Sequence, residues 1–248
     1  MRRFALLLGG PLLATEALKE RLRGYRLLAA DSGGRHALAL GLTPELWLGD
    51  FDSSPPWLQE ALSAPKEVLP REKDLTDGEA LLRKALELGA EEVLLLGALG
   101  GRLDHTLVHL ELAFLLAQKG VRVELTDGLT RAFPLLPGLH AFPLRPGTPF
   151  SLLPFPEATL GVEGARWDLP PTALKATSRT LENEALGPIR VRLEAGRALL
   201  YLFSPKGVCP RPSRTAQTRP LQRSSGPRKS WTRSATARAP GARAKAAW

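Results

Sequence analysis

One cysteine, Cys209, and one methionine are all the sulfur in 248 residues. A lone thiol closes no internal disulfide, so the fold must rest on burial and hydrogen bonding, and the pattern suits a reducing cytoplasm. Long apolar runs are also missing. A bilayer crossing needs roughly 18 apolar residues, and the nearest imitation of an export signal, Arg2-Arg3 before Phe4–Leu8, is broken at once by Gly9-Gly10-Pro11. Acids are absent from one region altogether. From Pro205 to Trp248 there are eleven Lys or Arg and no Asp or Glu, which leaves 23 bases and 25 acids in the first 204 residues. The net charge of +9 therefore belongs to the tail, and it argues for nucleic acid only there. Without hydrophobic periodicity the tail reads as disordered. It is either an electrostatic arm or the product of a shifted reading frame.

The whole chain is 44% hydrophobic, enough for a sizeable core. Apolar periodicity gives a β-α-β rhythm. Strands are expected at Phe4–Leu8, Arg26–Ala30, Leu46–Leu48, Glu67–Leu69, Glu92–Leu96 and Val121–Leu125. Helices are expected at Thr15–Arg23, Arg35–Leu40 and Thr76–Leu88, with a short segment from Pro56. Leu103, Leu107, Leu110, Phe114 and Ala117 mark one face of a further helix, stopped by Gly120. The fold class is α/β, a mostly parallel sheet with helices on both faces. After Gly128 nine of the 22 prolines crowd between Pro134 and Pro171, which excludes long helices. A smaller all-β domain is expected there, with Ile189–Glu194 and Ala198–Phe203 as a hairpin about Ala195-Gly196-Arg197. The boundaries are 1–128, 129–204 and a tail, 205–248.

Parallel sheets bind ligands beyond the carboxyl ends of their strands, and the chain's notable acids fall there. Asp31 follows the second strand, Asp50 and Asp52 the third, Asp74 and Asp77 the fourth, and Arg102 with Asp104 the fifth. Residues two apart on a strand share a face, so Asp50 and Asp52 can aim at one point, where two carboxylates repel unless a cation such as Mg²⁺ intervenes. Singly, each Asp is equally readable as a turn or an N-cap. Gly97-Ala98-Leu99-Gly100-Gly101-Arg102 suits phosphate through its backbone N–H groups, the following helix end and a guanidinium, although it lacks a Walker ending. His36, His105 and His109 fit no zinc spacing and read as packing or hydrogen-bonding residues.

Taken in order, Asp31-Ser32-Gly33-Gly34, Gly49-Asp50-Phe51-Asp52-Ser53, Lys73-Asp74-Leu75-Thr76-Asp77 and Leu96–His105 resemble the thiamine pyrophosphokinase family over roughly residues 4 to 203. The resemblance implies a cytoplasmic, homodimeric transferase that moves a pyrophosphoryl group from ATP to thiamine with Mg²⁺, giving thiamine diphosphate and AMP. It implies Asp50, Asp52 and Asp74 as metal ligands, and Asp31, Gly33, Thr76, Gly100, Gly101, Arg102 and Asp104 around the nucleotide. Asp74, Asp77 and Arg102 would be catalytic, with Asp74 or Asp77 taking the alcohol's proton. A C-terminal β-sandwich would hold thiamine through Ser178 and Asn183, in the loop Ala176–Glu184. Glu182 stands there in place of the usual Ser, and Thr180 in place of Gly. Two rivals use the same residues: a metal-dependent nucleotide phosphohydrolase with water as acceptor, and an inactive nucleotide- or RNA-binding protein.

Overall fold

A computed structural model describes residues 1–70, 74–175 and 178–203. Lys73, Ala176, Thr177, Cys209 and the whole tail lie outside the described residues. The elements run β1 (Arg3–Leu7), α1 (Glu16–Arg21), β2 (Arg26–Ala30), α2 (Gly34–Leu40), β3 (Leu46–Gly49), α3 (Pro56–Ala61), β4 (Lys66–Val68), α4 (Asp77–Glu87), β5 (Glu92–Leu96), α5 (Leu103–Gln118) and β6 (Arg122–Thr126). Five strands follow without a helix: β7 (Arg131–Leu135), β8 (Gly138–Phe142), β9 (Pro149–Ala165), β10 (Leu169–Lys175) and β11 (Asn183–Leu202). Local chemistry sets many of the bounds. Thr15 caps α1 by accepting from the Leu18 N–H (3.1 Å), Thr76 caps α4 by accepting from Glu79 (3.2 Å), and Pro56 opens α3.

The strands form one mixed sheet in the order β10-β9-β11-β7-β6-β5-β1-β2-β3-β4, with β8 paired to β11. From β4 to β6 all neighbours are parallel; β7 joins β6 antiparallel. The change of composition after Gly128 is thus a change of pairing within a continuous sheet, and the described residues fall in one compact unit. Strand β5 is central and buried from Val93 to Leu96. Its alternate residues serve two cores. Val93 and Leu95 pack with α4 and α5 residues such as Leu81, Ala113 and Phe114, whereas Leu94 and Leu96 pack with Leu18, Ala37 and Trp47 on the other face.

Two expectations are corrected here. Ile189–Phe203 is no hairpin, because both of its halves belong to the single strand β11. Along β11 the β9 partner numbers fall as its own rise, from Arg190 opposite Glu163 to Leu202 opposite Phe150. Phe150 also faces Asn183 at the other end of β11, so the ladder curls around a third core of Phe150, Leu160, Ile189 and Leu200. The second correction concerns α5. Its Leu110 and Phe114 are buried, but Leu103 and Leu107 are 70% and 48% exposed, because the helix meets the core only from His109 onward.

Candidate active site

In the β4-β3-β2-β1-β5-β6 order, chain connections leave β1 and β5 in opposite directions, which opens a crevice above their carboxyl ends. A cavity of about 720 Å³ occupies that place. It is lined by the loop after β1 (Gly9, Gly10, Pro11), by Asp31, Ser32 and Arg35 after β2, and by Asp50, Asp52 and Ser53 after β3. Thr76, Asp77 and Gly78 enter from the start of α4, Gly97, Gly100, Gly101 and Arg102 from the β5–α5 connection, and His105 and His109 from α5 itself.

Asp31, Asp50 and Asp77 bring carboxylate oxygens within 4.8 Å of one another. They come from three separate connections, so the convergence is made by strand order. Asp31 is buried, with φ at +39°, a backbone region that side chains seldom adopt. Its surroundings hold it there. Ser53 and Ser54 each donate a hydroxyl hydrogen bond of 2.6 Å to one of its carboxylate oxygens, and Trp47 Nε1 donates to its carbonyl at 2.7 Å. Strain that surrounding contacts maintain is characteristic of functional positions. A set of hard carboxylate oxygens suits Mg²⁺ or a similar divalent cation.

This differs from the ligand set expected. Strand β3 ends at Gly49, and the chain turns at Phe51 (φ +61°), whose buried ring packs edge-on against Trp47 with centroids 4.9 Å apart. Asp50 and Asp52 are therefore not alternating strand residues. The Asp52 N–H instead donates to Asp50 Oδ1 at 3.1 Å, closing a local turn. Asp52 lines the cavity outside the trio; Asp74 is exposed and lines none of it. Gly33 also stands back from the cavity. It is buried where an added Cβ would lie 2.2 Å from the Leu7 carbonyl oxygen, so it serves close packing of α2's approach on β1.

The glycine connection is shaped as the sequence suggests. Gly97, Gly100 and Gly101 all take left-handed φ (+70°, +78° and +73°), and Thr106 Oγ1 donates to the Gly100 carbonyl at 3.0 Å. Arg102 at the N-cap of α5 reaches Asp104 with two hydrogen bonds, 3.2 and 2.6 Å, both residues being exposed. The guanidinium's hydrogen bonds hold the Asp104 carboxyl down to about 2. Asp104 itself does not line the cavity. His36 and His109 are hydrogen-bonding residues, as expected. His36 Nε2 lies 2.9 Å from the Gly10 carbonyl and His109 Nδ1 3.2 Å from that of Ala98, and burial pushes both imidazoles below their ordinary value. His109 nevertheless forms part of the cavity wall. Sequence reasoning gives no site role to Arg35 or Ser54 and quotes Ser53 only within the Gly49–Ser53 motif, although the pair of serines directly after Asp52 is a visible signal.

The residues expected to hold thiamine lie elsewhere. Asn183 is buried and spends its amide inside the fold: Nδ2 donates to the Trp167 carbonyl (2.9 Å), while Oδ1 accepts from the N–H groups of Trp167 (3.2 Å) and Glu184 (2.8 Å). It builds the loop rather than standing open for a ligand. Ser178 is exposed, and Glu182 is exposed with φ at +56°. Arg179, Thr180 and Asn183 line a separate cavity of about 270 Å³ with Trp167 and Asp168.

Residues 24–125 match the family described as thiamin pyrophosphokinase, catalytic domain. That stretch of the chain is similar to a thiamin pyrophosphokinase catalytic domain. No curated protein matches by sequence. Among solved structures, thiamin pyrophosphokinase from Geobacillus thermodenitrificans is 26% identical with a TM-score of 0.68, over 82% of this chain and 98% of that one. The Bacillus subtilis enzyme superposes at 0.72 with 21% identity, covering 82% and 99%, and the Candida albicans enzyme at 0.64 with 15%, covering 82% and 89%. The last two speak for the fold alone. The matched domain spans β2 to β6 and so contains Asp31, Asp50, Asp77 and the glycine connection.

Proposed function

We propose that this protein transfers a pyrophosphoryl group from ATP to thiamine, forming thiamine diphosphate and AMP. The observation that carries the reading is the meeting of three carboxylates from three connections with the glycine connection in one crevice of a domain similar to the thiamin pyrophosphokinase catalytic domain. In the transfer the hydroxyethyl oxygen of thiamine forms a bond to the β-phosphorus of ATP, the bond from that phosphorus to the α–β bridging oxygen breaks, and AMP departs. The hydroxyl proton passes to a cleft carboxylate. Little covalent work falls to the protein in such a reaction, which needs positioning and charge stabilisation above all. Asp31, Asp50 and Asp77 would hold Mg²⁺, which when bound neutralises polyphosphate charge. The left-handed glycines turn the backbone toward the phosphates, and the N-terminal end of α5 adds favourable partial charge.

Residues 1–128 would form the catalytic part and 129–204 a β-sandwich that holds thiamine, consistent with the curl of β11 around Phe150 and the cavity beside Trp167. A homodimer is supported by the exposed Leu103, Leu107 and Val108 on α5, an apolar strip beside the cleft. Among the described residues no helix is long and apolar enough to cross a membrane. We assign the enzyme to the cytoplasm. Incubating the protein with ATP, Mg²⁺ and thiamine should yield AMP and thiamine diphosphate in equal amounts. Pyrophosphate and AMP formed equally well without thiamine would overturn the assignment in favour of a phosphohydrolase.

A further inference from the structure

We propose that Arg35 is the principal cation receiving the nucleotide's polyphosphate, a role that sequence reasoning gives to Arg102. The inference rests on the nucleotide reading above and deepens it. Among the described residues two arginines, Arg35 and Arg102, line the cleft, and they differ in what already compensates them. Arg102 lies in a bidentate contact with Asp104, whose negative charge offsets it. An anion that takes Arg102 must compete with a carboxylate already in place. Arg35, on the first turn of α2, donates through one nitrogen, Nη2, to the carbonyls of Gly9 (2.5 Å) and Gly10 (3.2 Å). Those acceptors are neutral. Among the described residues Arg35 has no ion pair within 4.0 Å, and it is exposed to the cavity.

The chemistry favours Arg35 on two further grounds. A guanidinium has five N–H donors in a fixed fork, so anchoring through Nη2 fixes its plane while Nε and Nη1 remain to meet phosphate oxygens. The anchor acceptors also belong to the loop facing the glycine connection, since the Gly10 N–H donates to the Gly97 carbonyl at 3.0 Å. Arg35 thereby sets a positive charge beside the Gly9-Gly10-Pro11 loop, against which Gly100 and Gly101 also lie.

The competing role is a brace between α2 and the β1 loop, and the test separates the two. Binding of ATP and of inorganic tripolyphosphate is measured by calorimetry for wild type, R35K and R35Q, with steady-state kinetics and melting temperature. R35Q is expected to raise KM for ATP tenfold or more and weaken tripolyphosphate equally, with KM for thiamine within twofold. R35K, keeping charge but losing the fork, should fall between. Wild-type-like ATP and tripolyphosphate binding in R35Q would overturn the proposal, as would equal rises in both KM values accompanied by a lowered melting temperature. If R35Q does not fold, R35K decides, and an unchanged KM for ATP there overturns it. Wild type that binds neither ATP nor tripolyphosphate would overturn the function proposed above, whereas wild-type binding unaffected by R35Q sinks only the role of Arg35.

Discussion

The two halves of the sheet put their glycines and their strain to different uses. Between β1 and β6, apart from the glycines that end helices, positive-φ backbone gathers at or beside the cleft: Asp31 and Phe51 have positive φ, and Gly97, Gly100 and Gly101 curve the β5–α5 connection. From β7 to β11, the unusual backbone sits at bends of long strands. Gly196, at φ +80° inside β11, lies where a Cβ would come 2.2 Å from the Glu157 carbonyl oxygen. One half stores irregularity to arrange chemistry, the other to curl a ladder. Substitutions in the first should damage turnover more than stability, and in the second the reverse.

The largest effect is expected at the carboxylates. Asp31→Asn and Asp50→Asn should each lower kcat at least 100-fold, equivalent to about 2.7 kcal/mol of transition-state stabilisation. Asp31→Asn should also lower the melting temperature, since the amide nitrogen cannot accept the hydroxyl bond that Ser53 or Ser54 now donates, whereas Asp50→Asn should change stability less. Asp74→Asn should stay within tenfold of wild type. If instead Asp74→Asn is as damaging as Asp31→Asn, the metal set suggested by the resemblance stands and the trio seen here does not.

Next comes Gly196→Ala, which combines a left-handed backbone costing about 1–2 kcal/mol with a clash against main chain. A loss of about 2 kcal/mol or more, roughly 5 °C in melting temperature for a chain of this size, should leave kcat of the folded enzyme unchanged. Gly120→Ala supplies the control. Gly120 has nearly the same φ, +81°, but nothing within 4 Å of an added Cβ, so only about 1 kcal/mol should be lost there. Equal losses at both sites would remove the packing part of the argument.

The same contrast explains what could be read from the sequence. β2 and β5 fall at Arg26–Ala30 and Glu92–Leu96 as the apolar pattern indicates, and Gly41 and Thr76 end and begin helices, because caps and periodicity are local signals. β9 and β11 are 17 and 20 residues long, and β10 accommodates Pro170-Pro171, since pairing between distant residues sets those lengths. Gly196 looks like a hairpin turn in isolation and becomes a bend only against Glu157. The cleft follows suit. That Asp31 and Asp77 share it was legible from the strand ends, but their meeting with Asp50, in place of Asp52 and Asp74, depends on the turn at Phe51. Arg35 was hidden because its significance lies in the neutral carbonyls of Gly9 and Gly10, 25 residues away.

A smaller effect is expected in the β half at Glu182. Its φ of +56° costs a non-glycine residue about 1 kcal/mol, and its N–H donates to Ser151 Oγ at 3.0 Å, a bond that any residue there retains. Glu182→Gly should therefore stabilise the protein by up to about 1 kcal/mol and raise the denaturation midpoint. KM for thiamine should change by tenfold at most, with kcat barely moved, since the residue lies away from the cleft where the reaction is placed. A collapse of kcat would join this loop to the chemistry and blur the division between the halves.

The smallest effect, and the sharpest check on the pairing of Arg102, is a titration. Arg102's hydrogen bonds, together with the His105 N–H, lower the Asp104 carboxyl to about 2. A carboxyl lowered by folding contributes stability that is present above its unfolded value near 3.9 and is lost as pH falls through about 2. Both side chains are exposed, so solvent screening keeps that contribution small. Through the neutral range Asp104 stays charged and Arg102 stays occupied. Carbon-detected NMR should give an Asp104 midpoint near 2 in wild type and a higher one, shifted toward 3.9, in Arg102→Gln, where only the His105 N–H remains to lower it. A wild-type midpoint near 3.9 would mean that Arg102 is not held by Asp104 in solution, and the distinction drawn between the two arginines of the cleft would go with it.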